Sequence, residues 1–155
     1  MLRVHSSPAR VDAVYVSMKQ LEVKPVNFSP VEIVRCIYDA YDGGDVRTPV
    51  EYFHEDVECY ISDFVPWGGP RRGFQQIVES LSALRQYVAT TFEPSEIIDA
   101  GTHVIAIGDT VGFVHRTDRS FSIRTVHVWR FEGGKIVRFE SYLDKESVSA
   151  LRAAA

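Results

Sequence analysis

Five histidines, two cysteines and scattered carboxylates are the groups in this 155-residue chain that could do chemistry, and His127 stands out among them. In the run Thr125-Val126-His127-Val128-Trp129 the alternation of a strand puts the imidazole on the same side as Thr125 and Trp129. An imidazole set among Trp129, Phe139 and Ile123 could donate to, or take a proton from, a bound carbonyl compound near neutral pH. The competing role is a neutral core histidine satisfied by Thr125, Ser141 or a backbone carbonyl. Asp63, beside the loop Pro66-Trp67-Gly68-Gly69, is a candidate general base, with Tyr60 or Tyr38 completing a hydrogen-bonding set; an aspartate in such a loop is more often an ordinary turn former. Trp67, on its glycine-flanked loop, is a candidate lid over a ligand or a simple aromatic plug.

Other chemistries find no support. His54, His103 and His115 have no metal-ligand spacing with one another or with the cysteines, so no metal is expected. Gly68-Gly69 and Gly133-Gly134 do not open helices in a phosphate-cradling pattern, and no nucleophile elbow is present, so no cofactor is expected either. Cys36 and Cys59 lie in segments that read as buried, which suits reduced core thiols and a cytoplasmic home better than a disulfide framework. Seventeen Lys plus Arg against 21 Asp plus Glu leave a net charge of −4, a field that disfavours nucleic acid and anionic membranes as partners. With 45% hydrophobic and 25% charged residues, and no apolar run long enough to span a bilayer, the composition is that of a single globular domain.

The elements that must position these groups follow from pattern and punctuation. Residues 1–28 mix charges irregularly, lack the features of a secretory signal, and read as a loosely attached arm. Ser29-Pro30-Val31-Glu32 is a capping box with proline at the first helical position, and apolar residues recur at helical spacing to Gly43-Gly44. A short helix at Pro49 to Phe53 leads into a strand, Val57 to Ile61, and then a loop, Ser62 to Gly73. Ile77, Leu81, Leu84 and Val88 form the stripe of a longer helix from Phe74. From Glu96 the period becomes two. Strands are expected at about 96–100, 103–115, 121–131 and 135–143, with a short tail helix in 145–155, the residues from 149 forming the end of the tail. Helices followed by an antiparallel meander argue for an α+β domain over 29–148 whose sheet curls around the helices.

The final hairpin decides which side chains share a face. A two-residue Gly133-Gly134 turn pairs Glu132 with Lys135 and sets Trp129 opposite Arg138. A three-residue loop, Glu132-Gly133-Gly134, instead pairs Phe131 with Lys135, Trp129 with Val137, His127 with Phe139 and Thr125 with Ser141. The second sorts the faces. One side then carries Phe121, Ile123, Thr125, His127, Trp129, Phe131, Val137, Phe139, Ser141 and Leu143; the other carries Ser122, Arg124, Val126, Val128, Arg130, Arg138, Glu140 and Tyr142. The first face belongs under the helices, where each of its polar groups would cost about 1–3 kcal/mol if left without a partner. The second mixes charge with apolar residues in a way that fits a homodimer interface, or a solvated face with scattered apolar residues.

The order of elements, together with Tyr41-Asp42-Gly43-Gly44-Asp45, Phe53-His54-Glu55-Asp56-Val57, Arg71-Arg72-Gly73-Phe74 and the hairpin His127 to Ile136, resembles the SnoaL-like branch of the nuclear transport factor 2-like superfamily, which includes polyketide cyclases and relatives of ketosteroid isomerase and limonene epoxide hydrolase. The resemblance implies a cone, a cystatin-like α+β barrel in which a curved antiparallel sheet wraps about three helices around an apolar pocket, commonly dimerised through the sheet's outer face. It also implies departures. The isomerase's general-base aspartate falls at about Cys59, its helix-one tyrosine at about Ile37, its protonated aspartate at His127, and an epoxide hydrolase carboxylate at about Ser141. Neither steroid isomerisation nor epoxide hydrolysis carries over.

The sequence thus leads to a pocket for a small hydrophobic ligand, with His127 and Asp63 as catalytic candidates and Tyr38, Cys59, Tyr60, Trp67, Thr125, Trp129, Phe139 and Ser141 as ligand-binding candidates. If it is an enzyme, the expected chemistry is cofactor-free proton transfer by an isomerase, cyclase or dehydratase. The alternatives are a non-catalytic ligand-binding protein and a homodimerisation module whose cone is filled. A hollow of about 300 Å³ or more with His127 on its wall separates the first two from the third.

Overall fold

The computed structural model describes residues 27–153, so the arm read at 1–28 lies, but for its last two residues, outside the described part. Helix α1, Pro30–Asp42, starts at the expected capping box: Glu32 donates its N–H to Ser29 Oγ at 3.2 Å, and Ser29 N–H donates to Glu32 Oε2 at 2.7 Å. A 3₁₀ turn, Thr48–Tyr52, leads into β1, Phe53–Ile61. Then come β2 (Gly69–Arg72), α2 (Phe74–Tyr87), β3 (Val88–Asp99), β4 (His103–Val114), β5 (Ser120–Glu132), β6 (Lys135–Leu143) and α3 (Lys145–Ala153). No described helix is long and apolar enough to cross a membrane.

The six strands form one curved sheet in the order β2-β1-β6-β5-β4-β3, antiparallel at every seam except β1 with β6, which run parallel. Two parts of it were not expected. The edge strand β2 lies inside the supposed loop, where Pro70, lacking an N–H, is tolerated because an edge leaves donors unpaired. The other edge strand, β3, begins eight residues before the expected Glu96; Pro94 breaks its alternation at a register shift, hiding the first half from a period-two reading. Curvature has a local cause. At Gly108 and Gly112 of β4 a Cβ would lie 2.2 Å from Glu93 O and 1.9 Å from Ala89 O, so the backbone of β3 folds over β4 at two points only glycine permits.

The terminal hairpin corrects the expected loop while keeping the expected faces. The turn is the two-residue Gly133-Gly134, with φ of +56° and +77°, matching the twist of the strands. A register shift at Arg130/Phe131 then inserts one residue in β6, so Trp129 pairs with Phe139, His127 with Ser141 and Thr125 with Leu143. Val137, placed inward by the three-residue loop, is the extra residue, and the fully buried Ile136 takes the inward place. Around Val34, Val57, Val104 and Ile136, all at 0% exposure, the interior is solid. The hollow lies beyond them.

Candidate functional site

Between the helices and the concave face lies a cavity of about 310 Å³. Its wall is mostly aliphatic and aromatic, and no aspartate or glutamate contributes to it among the described residues. The polar feature of its wall is built by α1 and β5. Tyr38, one step along α1 from Ile37, points its hydroxyl to His127 Nδ1 at 2.9 Å, and Trp129 Nε1 donates to the same Tyr38 oxygen at 3.0 Å. Rings hold this trio: the His127 ring centroid is 4.2 Å from that of Phe92 and 5.1 Å from that of Phe139, and Trp129 stacks 4.2 Å from Phe139.

His127 is half-buried and lines the cavity. Desolvation pushes its pKa down to about 3, leaving a neutral imidazole at any physiological pH. Its Nε2 makes no hydrogen bond to a described residue, and no fully buried side-chain nitrogen or oxygen among them is unpartnered; Nε2 is therefore the ring edge that meets the cavity. Burial likewise drives the Tyr38 hydroxyl far above its ordinary range, against the smaller opposing effect of the Trp129 N–H. The Cys59 thiol, also on the wall, is pushed up to about 12 by burial, with Arg71 and Arg138 pulling weakly the other way, and stays protonated and unreactive.

The structure brings Tyr38, Cys59, Trp67, His127, Trp129, Phe139 and Ser141 together on one wall. It does not bring in the other three. Asp63 is exposed in the turn after β1 and lies off the wall, so the expected base has no access to the cavity. Tyr60 falls between the inward residues Cys59 and Ile61, so parity turns it to the outer face, where it packs 5.8 Å from Tyr142. Thr125 faces inward and is fully buried, but its hydroxyl is taken up by Thr110 Oγ1 at 2.7 Å and Ile123 O at 2.9 Å. His127 bonds to none of the partners named for the core-histidine alternative, Thr125, Ser141 or a backbone carbonyl; its partner among the described residues is the Tyr38 hydroxyl of α1.

Phe92 and Val148 are among the wall residues that the sequence did not single out. Phe92, against His127, lies in the half of β3 that Pro94 disguised. Val148 of α3, 3% exposed, lines the cavity, and the start of α3 is capped by Asp144, which accepts from Ser147 N–H at 2.9 Å. The signal for α3 was its amphipathic spacing, too short to be told from a tail. No group of three or more His, Cys, Asp or Glu that could hold a metal occurs among the described residues.

Residues 34–139 match the SnoaL-like domain family. The chain belongs to that family. An NTF2-like protein from Burkholderia thailandensis is 31% identical to this SnoaL-like domain, covering 81% of this chain and 98% of its own at a TM-score of 0.74. The protein TerC, co-crystallised with polyporic acid, is 23% identical over 79% of this chain and 98% of its own, with a TM-score of 0.71. A SnoaL-like polyketide cyclase from Shewanella denitrificans shares 15% identity over 82% of this chain and 100% of its own, at 0.68. At such identities the last two speak for the fold alone. No curated protein matches the chain. The α+β cone that the motifs implied is the fold observed.

Proposed function

We propose that this SnoaL-like domain binds a small, largely hydrophobic or polycyclic molecule in the cavity, anchored at His127. The observation that carries the reading is the joining of a 310 Å³ apolar hollow to an imidazole edge that has no partner among the described residues. A filled cone acting only as a dimerisation module would have neither. The polyporic acid found with TerC supports a small ligand in a pocket of this architecture. A thermal-shift screen of hydrophobic ketones, steroids and polyketides tests it: saturable stabilisation that is lost in His127→Ala supports the reading, and no stabilisation by any of them counts against it.

Two readings of the occupied pocket follow. As a cofactor-free isomerase, cyclase or dehydratase, the protein would use neutral His127 to polarise a carbonyl while a proton moves on the ligand. As a receptor it would bind without turnover. That no carboxylate of a described residue lines the wall favours the receptor, since proton abstraction beside a carbonyl needs a base and a histidine held neutral down to pH about 3 is a feeble one. The outer sheet face, where Tyr60, Tyr142, Val126 and Val128 lie among the Arg138–Glu58 and Arg124–Asp109 pairs, suits a homodimer. The free thiols of Cys36 and Cys59 suit a reducing cytoplasm.

A further inference from the structure

The hydrogen bonds around Tyr38 have a direction. Trp129 Nε1 carries an N–H and no lone pair to offer, so at 3.0 Å it donates and the phenol oxygen accepts. The phenol's own proton then needs an acceptor, and the only other hydrogen-bond partner of that oxygen among the described residues is His127 Nδ1, at 2.9 Å. Were Nδ1 protonated instead, the phenol proton would be left buried with nowhere to go, a costly arrangement. The phenol therefore donates to Nδ1, and a neutral ring with a lone pair at Nδ1 carries its proton on Nε2.

Building on the ligand-binding reading above, we infer that Trp129 fixes the polarity of the Tyr38–His127 pair, so that Nε2–H enters the cavity as a donor and selects hydrophobic ligands with a hydrogen-bond acceptor, such as a ring ketone, at their inner end. A ligand N–H arriving at the same place meets a proton where it needs a lone pair. Ser141, paired with His127 across β5 and β6, lines the same stretch of wall with a hydroxyl that donates or accepts as required, so it adds affinity without discrimination. Trp129 and Tyr38 act through His127 and are positioning residues.

The test uses three tricyclic probes of one outline: fluorenone, with a carbonyl; fluorene, with a methylene; and carbazole, with an N–H. On the wild-type chain fluorenone should bind about tenfold tighter than fluorene, and carbazole no tighter than fluorene. In Trp129→Phe and in Tyr38→Phe, which retain His127 but release its tautomer, the fluorenone preference should shrink to about twofold while carbazole gains. Nitrogen-15 NMR of the ligand-free wild-type protein should show His127 as the Nε2–H tautomer, so the relay is tested even if a variant fails to fold. An Nδ1–H tautomer overturns the relay. Fluorenone binding no tighter than fluorene, or an unchanged preference in a folded variant, overturns the selectivity. If none of the three binds, the ligand-binding reading is overturned and the selectivity with it, whereas the tautomer still decides the relay.

Discussion

Tyr38 and His127, 89 positions apart in the chain, meet at 2.9 Å and tie α1 to β5 on the wall of the cavity. The contact links fold to site, because the same phenol oxygen receives the Trp129 N–H from within the core. Tyr38→Phe removes both bonds at once and leaves an indole N–H and an imidazole nitrogen unpaired. Its expected cost is about 1–3 kcal/mol of folding stability, read by urea denaturation as a lower midpoint with an unchanged slope.

The neutral state of His127 makes stability depend on acid. Its pKa is lowered from an ordinary 6.5 to about 3, so between those values the unfolded chain binds a proton that the folded chain refuses. Stability is therefore unaffected by this group above pH 6.5 and falls as pH drops towards 3, by at most about 1.4 kcal/mol per pH unit. Urea midpoints measured from pH 7 to pH 4 should show this decline, and His127→Phe should flatten it. A histidine that titrates near neutrality in the folded protein would give no such slope.

The same group predicts how ligand binding responds to pH. His127 is neutral above about 3 and Cys59 protonated up to about 12, while Tyr38 is raised still further from its usual range. Affinity for an uncharged hydrophobic ketone should be level from pH 5 to pH 9, as read by isothermal calorimetry. A bell-shaped profile centred near neutrality would contradict this, since it needs an acid–base pair that the described wall residues do not supply.

Asp63 separates what the sequence suggested from what the fold allows. Asp63→Asn should leave both ligand affinity and any turnover unchanged, because the carboxylate is exposed and off the wall. A large loss on this substitution would mean that the turn closes over the cavity when a ligand enters.

Gly108 tests the curvature that makes the hollow. Gly108→Ala sets a methyl 2.2 Å from Glu93 O and 2.8 Å from Pro94 Cα, both backbone, so strand β3 must move. The expected loss is about 1–3 kcal/mol, together with weaker ligand binding as the sheet flattens. An exposed alanine substitution such as Ser122→Ala on the outer face should do neither.

Much of this architecture was legible because local signals agreed. The Ser29–Glu32 box fixed the start of α1, and the alternation from Phe121 to Phe131 fixed which side of β5 is wet. The hairpin shows how a right answer can rest on a wrong detail. The three-residue loop and the observed two-residue turn with its register shift give β5 and β6 the same parity, so His127, Trp129, Phe139 and Ser141 face inward in both, while the individual pairs slip and Val137 yields to Ile136. What stayed hidden was tertiary. Nothing near Tyr38 in sequence indicates that its partner is His127, and Pro94 concealed the segment that carries Phe92. Asp63 looked catalytic because a carboxylate beside an aromatic loop has the right chemistry; its direction depends on a turn that alternation does not describe.

The central claim is that a hydrophobic molecule lodges against His127. Its most direct test is an NMR titration of protein labelled at histidine nitrogen with fluorenone. The His127 Nε2–H resonance should move saturably with added ketone while those of His54, His103 and His115 stay in place. Binding that leaves His127 unmoved, or a shift confined to the other histidines, would contradict it.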